Sequence, residues 1–136
     1  MTDKPDKAQV GLSSETDDKL KSLLEKDDGP FARDQDVYRL AVAIALAEGL
    51  DPAPESRSYD TKFAAGGVDP DQALRSAIQY LRDDHDGRPA ALMERLAEAG
   101  VERIYDHVDS GKALHELLTT VSPAVVPDPA NGEPTP

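Results

Sequence analysis

Carboxylates are the commonest ionisable side chains in this sequence and the first candidates for chemistry, with 27 Asp and Glu against 15 Lys and Arg. Acid–base catalysis needs two groups whose environments push their pKa values apart. With so many acids along the chain, spacing singles out no such pair. Asp84, Asp86 and Gly87 resemble part of a calcium loop. In that register the first and twelfth positions are Arg82 and Met93, so both essential ligands fail and a solvated turn is expected. His107 and His115 could approach each other across Gly111, with Asp106 or Glu116 nearby. Zinc needs three or four converging ligands at a recognisable spacing. The sequence offers none, so surface histidines are expected. Cys is absent, which excludes a disulfide framework, a thiolate metal site and a Cys nucleophile. There is no nucleophile elbow, phosphate-cradling loop or metalloprotease helix. Gly66-Gly67 is not followed by Lys and reads as a backbone bend. No catalytic residue, metal site or cofactor is expected.

The basic residues offer a second kind of chemistry. Lys19, Lys21 and Lys26 fall on a first predicted helix, and Arg33 and Arg39 near the start of a second. Together they could form a phosphate-binding face. Asp17, Asp18, Glu25 and Asp27 are interleaved with them, so charge alone favours a solvated mixed face. The chain carries a net charge of −12, and Asp outnumbers Glu 18 to 9. That bias suits an acidic surface in a high-salt cytoplasm, or an acidic protein from a high-GC genome. Either way the net field repels nucleic acid, so DNA contact would need a local basic patch or a partner. The first six residues lack an apolar signal core, and the longest apolar run, Leu40 to Ala47, is too short to span a bilayer. A soluble, unanchored, cytoplasmic protein is expected.

The elements that must position these groups are predominantly helical. Residues 1–8 read as a flexible N-terminus, residues 9–121 as one helical domain, and residues 122–136, with five prolines, as a disordered tail. Val10 and Leu12 alternate with Gln9 and Gly11 in a very short extended start. Ser13 or Ser14 can cap a helix to about Lys26, with Leu20, Leu23 and Leu24 as its apolar stripe. Asp34 is placed to cap a helix over 35–48 that is apolar nearly all round, which makes it the expected central helix, closed by Gly49. Residues 50–68 read as loop. Asp69-Pro70 starts a helix to about Arg82 that would bury Leu74, Ala77, Ile78 and Leu81. Pro89 opens a fourth helix, closed or kinked at Gly100; Val101 to Val108 form a fifth, and Leu114 to Leu118 a short last one. The expected fold is all-α: a compact single-domain bundle of five or six helices with at most one very short N-terminal strand.

The second helix, Arg39 to Glu48, resembles the signature helix of DndE, a small protein of DNA phosphorothioation systems. In that family an Arg, an apolar residue and Ala lead to a pair near the helix end, here Ala45-Leu46. Other features follow in the family's order. They are Val10 to Ser13 before a first helix bearing Leu20-Lys21 and Leu24, then Gly29, Phe63 with Gly66-Gly67, Gly100-Val101 with Ile104, and Leu114 to Leu118. The order and spacing carry the likeness, and it runs through nearly the whole predicted domain. Small companion proteins of such systems share a similar helical pattern.

The resemblance implies a helical bundle able to form a homo-tetramer and an accessory, non-catalytic role. It implies as partners the sulfur-transfer enzyme and ATPase subunits of the system and, through lysines, nicked double-stranded DNA. Lys19, Lys21 and Lys26 would be the matching lysines and Arg39 the signature arginine, with no cofactor and no membrane. The family is usually far more basic than this chain, which shifts weight from DNA binding towards docking on protein partners. A second reading is a ribbon-helix-helix-type transcription regulator or antitoxin, in which Val10 to Leu12 would pair with a second copy and enter the major groove.

Overall fold

The computed structural model describes residues 6–24 and 33–112. Along these lie β1 (Gln9–Leu12), α1 (Ser14–Leu24), α2 (Asp34–Glu48), β2 (Asp60–Ala64), α3 (Ala65–Val68), α4 (Ala73–Leu81) and α5 (Pro89–Asp109). The protein is mainly helical, as expected, but the strand content is larger than the sequence suggested. β1 has a partner, β2, from within the stretch read as loop. The two run antiparallel, with Val10 opposite Phe63 and Leu12 opposite Asp60, and a bulge between Val10 and Gly11. Pro52, Pro54 and Gly66-Gly67 obscure β2 in the sequence, although Thr61 and Phe63 are good strand formers at alternate positions. Gly11 is required there, because a Cβ would stand 1.6 Å from the Asp60 carbonyl oxygen.

α5 is the organising element. It is 21 residues long and meets α1, α2, α4 and β1. The expected break at Gly100 does not occur. Gly100 sits where α5 crosses α2, and a Cβ would lie 2.1 Å from the Ala41 carbonyl oxygen. It allows close helix approach and interrupts nothing, because a helix tolerates Gly at a modest propensity cost. The expected central helix, α2, is indeed in the core through Val37, Tyr38, Ala41, Val42, Ile44 and Ala45. It shares that place with α5, whose Leu92, Met93, Leu96, Ala97, Val101 and Ile104 pack in the same cluster.

The helix starts depart from expectation in an informative way. Ser13 caps α1, its Oγ accepting the Thr16 N–H at 3.3 Å. The N-cap of α2 is Arg33, and Asp36 accepts the Arg33 N–H at 3.2 Å, while Asp34, expected as the cap, pairs with Lys62 instead. Gly49 closes α2 at φ 62° as predicted. Asp69 acts as a capping acceptor for the N–H groups of Leu74 and Arg75, each at 3.0 Å, but α4 begins only at Ala73. Leu81, expected in the core, is 60% exposed and lies beside Tyr80 at 89%; within α4 only Ile78 is buried. Of residues 1–8, expected to be flexible, 1–5 lie outside the described residues, and Asp6 and Lys7 are tied to α5. Asp6 accepts the N–H groups of Ala90 and Ala91, each at 2.9 Å, capping α5 from a remote part of the chain. The expected last helix at 114–118 and the tail at 122–136 lie outside the described residues.

Candidate functional site

Three glutamates a turn apart on α5, Glu94, Glu98 and Glu102, form the densest polar network in the described structure. Residues at i and i+4 share a helix face, and this one looks onto β1 and the loop before β2. Glu94 accepts the Gly11 N–H at 2.8 Å and an ion pair from Lys7. Glu98 is fully buried. It accepts the Ser13 N–H at 2.9 Å, the Ser13 hydroxyl at 2.5 Å and Arg57 Nη1 at 2.8 Å. Glu102 takes the Thr16 hydroxyl and Arg57 Nη1, each at 3.3 Å. From the other side, the buried Tyr38 hydroxyl donates to the Gly11 carbonyl at 3.1 Å.

The electrostatics follow from these bonds. Burial alone would raise the Glu98 pKa, but Ser13 and Arg57 outweigh it and hold the carboxyl below its usual range. A carboxylate held that way is a poor base towards the Ser13 hydroxyl. Burial, reinforced by Glu94 and Glu98, pushes the Tyr38 hydroxyl well above its usual value. The Tyr59 hydroxyl, which donates to the Pro54 carbonyl at 2.8 Å, is pushed up to about 12, chiefly by burial. The network is built to hold backbone in place: it satisfies strand and loop groups that would otherwise be buried without partners. It also occupies the outer edge of β1. In a ribbon-helix-helix arrangement that edge would pair with a second copy; here Glu94, Glu98 and Tyr38 take the N–H of Gly11, the N–H of Ser13 and the carbonyl of Gly11.

The described members of the predicted basic set do not converge. Lys19 turns towards α5, with Nζ 5.5 Å from the centre of the Tyr105 ring. Lys21, two residues on and so on the far side of α1, pairs with Asp17 at 3.2 Å. Arg33 lies 3.7 Å from Asp36, with its side chain 64% exposed. Arg39 is half-buried on α2, and Lys26 lies outside the described residues. Lys62, which is not among the predicted residues, bridges two acids: it pins β2 by reaching Asp17 at 3.0 Å and Asp34 at 3.4 Å. Each described base of this region thus has an acid or an aromatic ring beside it, or sits partly in the core.

The predicted turn at Asp84 to Gly87 is present. Arg82 clasps Asp84 through two bonds, of 2.9 and 2.8 Å, which hold that carboxyl below its usual range. Asp86 and Gly87 take positive φ, 53° and 71°. Among the described residues no three His, Cys, Asp or Glu side chains come together as metal ligands. His107 is buried near the end of α5; His115 lies outside the described residues. No described helix is long and apolar enough to cross a membrane.

Sequence reasoning missed Glu94, Glu98, Arg57 and Asp6. One signal was present. Glu94 and Glu98 fall beside Met93 and Ala97 at helical spacing, inside the apolar stripe, where a solvated acid would not be placed. Arg57 and Asp6 carried no local signal. No known protein family, curated protein or solved structure matches the chain.

Proposed function

We propose that this chain is an accessory, non-catalytic subunit of a DNA sulfur-modification (phosphorothioation) system. It acts by docking on the sulfur-transfer and ATPase components, and nicked duplex DNA is reached through that assembly. The observation that carries the reading is the ordered series of features around the Arg39 to Glu48 helix, from Val10-Gly-Leu-Ser13 to Gly100-Val101. The charge distribution supports docking over independent DNA binding. The chain has a net charge of −12 and its helix-α1 lysines face in different directions, so the described residues offer no continuous cationic track for a phosphate backbone. The buried glutamates support a structural role, since their acceptor capacity is spent on strand and loop groups.

Affinity capture of the full-length protein from its native host, probed for the sulfur-transfer enzyme, tests the reading. Co-purification of that enzyme, and loss of phosphorothioate linkages from genomic DNA digests when the gene is deleted, are the expected results. Recovery of unrelated proteins only, with DNA sulfur content unchanged, rejects it.

A further inference from the structure

We infer that the outer edge of β2 is the docking edge, and that it takes an extended, lysine- or arginine-bearing segment of a partner protein as a third strand. The inference rests on the accessory reading above for the partner's context, but its geometry stands apart.

A two-stranded sheet has two outer edges, and unpaired edge peptides are templates for a further strand. In this protein they are treated differently. The outer edge of β1 is closed by Glu94, Glu98 and Tyr38. β2 has β1 as its one strand neighbour, and no side-chain bond to its backbone is present among the described residues. Ala65 donates its N–H to the Ala8 carbonyl across the pair at 2.9 Å. Strand peptides alternate in direction, so the preceding N–H, that of Ala64, points to the open side. Thr61 and Ala64 are exposed, and no proline lies between 60 and 64. Edge strands are often protected by a lysine projecting into solvent. Lys62 does not serve that purpose, because its side chain is drawn in to Asp17 and Asp34 and is only 18% exposed.

Charge complementarity selects the occupant. Beside Asp60 and Thr61 lies a hollow of about 250 Å³ lined by Asp17, Asp18, Lys21 and Lys62 as well. Lys21 is taken up by Asp17, and Lys62 by Asp17 and Asp34, which leaves Asp18 and Asp60 as its unpaired charges. Asp18 and Asp60 are exposed and engage no cation among the described residues. Their field favours a cationic side chain on the incoming strand. A second copy of the chain is a poor occupant. It carries the same net charge of −12, so like-charge repulsion opposes its approach.

The test uses the full-length, isotope-labelled protein and two synthetic probes, Lys-Val-Lys-Val-Lys-Val-Lys and Lys-Pro-Lys-Pro-Lys-Pro-Lys. They carry equal charge, but proline holds the second in a polyproline conformation that cannot form a strand ladder. The valine peptide is expected to give saturable amide shifts centred on residues 60–64 and to slow exchange of the Ala64 amide; the proline peptide should not. Ala64→Pro removes the outward donor at a position whose φ of −70° already suits proline. It is expected to weaken the valine peptide about fivefold, as one lost hydrogen bond does, at unchanged melting temperature. Equal binding of both peptides, an Ala64 amide whose exchange does not slow, or self-association through β2 in place of peptide binding overturns the inference. The exchange measurement needs no variant, so it decides even if Ala64→Pro folds poorly. Peptide pairing at β2 without capture of a sulfur-transfer enzyme would leave the edge standing and reject the accessory reading; capture insensitive to Ala64→Pro would do the reverse.

Discussion

β1 and β2 lie side by side in one small sheet, yet their outer edges are finished by different means. The edge of β1 is built into the protein: α5 delivers two buried carboxylates and α2 a buried tyrosine to its peptide groups. The edge of β2 has no such partner among the described residues, and the exposed Asp18 and Asp60 lie near it. The comparison teaches where rigidity and recognition sit. Satisfying a strand edge with ionised side chains from a core helix makes it costly to disturb. An edge with no such partners costs little to alter and remains free to pair.

The sharpest way to break the comparison is at Gly11, where the two strands come closest. Gly11→Ala places a methyl inside van der Waals contact with the Asp60 carbonyl, at 1.6 Å, and should cost about 3 kcal/mol in urea unfolding. A loss within experimental error would mean the bulge relaxes easily and β1 is not held as described. Glu98→Gln comes next. It keeps the shape but removes the charge that Arg57 and the Ser13 donors address, and the expected loss is about 2 kcal/mol, reduced by the partial exposure of Arg57. Unchanged stability there would show that the acid ladder is dispensable to the sealed edge.

The pH response sharpens the same point. The folded-state pKa of Glu98 lies below its unfolded value, so its contribution is complete above roughly pH 4.3 and is lost as pH falls through the folded value. Asp17, lowered against its own burial by Lys62 and Lys21, acts in the same direction. Melting temperature should therefore fall on acidification below that point, and less steeply in Glu98→Gln than in the wild type. Parallel pH profiles would assign the acid sensitivity elsewhere. The smallest effect is expected on the open side: Ala64→Pro should change stability by no more than about 0.5 kcal/mol. A large loss would show that β2 is as firmly held as β1.

The contrast between the strands also marks how far the sequence could be read. The core helices were legible because their apolar spacing repeats: Val37 to Ala45 in α2 and Leu92 to Ile104 in α5 both came out buried. β1 was legible from four alternating residues. β2 was not, because five residues between two proline-rich and glycine-rich stretches give too little pattern to outvote those breakers. Gly100 likewise has the sequence signature of a break; only the crossing with Ala41 reveals that the residue serves close approach. Leu81 followed the helical period into the expected core and emerged on the surface, since α4 touches the rest of the protein along a narrower face than its pattern suggested.

The sequence by itself determined what local spacing and composition can encode. That is a mainly helical chain, its two principal apolar helices, the Gly49 stop, a serine cap at Ser13 or Ser14, the turn at Asp84 to Gly87, and a charge hostile to unaided DNA binding. Only the tertiary structure decided which distant groups meet. Asp6 reaches the start of α5, Arg57 reaches Glu98, Lys62 joins α1 to α2, and the acids of α5 close one strand edge while its neighbour has no such partner among the described residues. The physical reason is range. Helix periodicity and capping act over a few residues, whereas a buried carboxylate is stable only when partners far along the chain are brought within hydrogen-bonding distance.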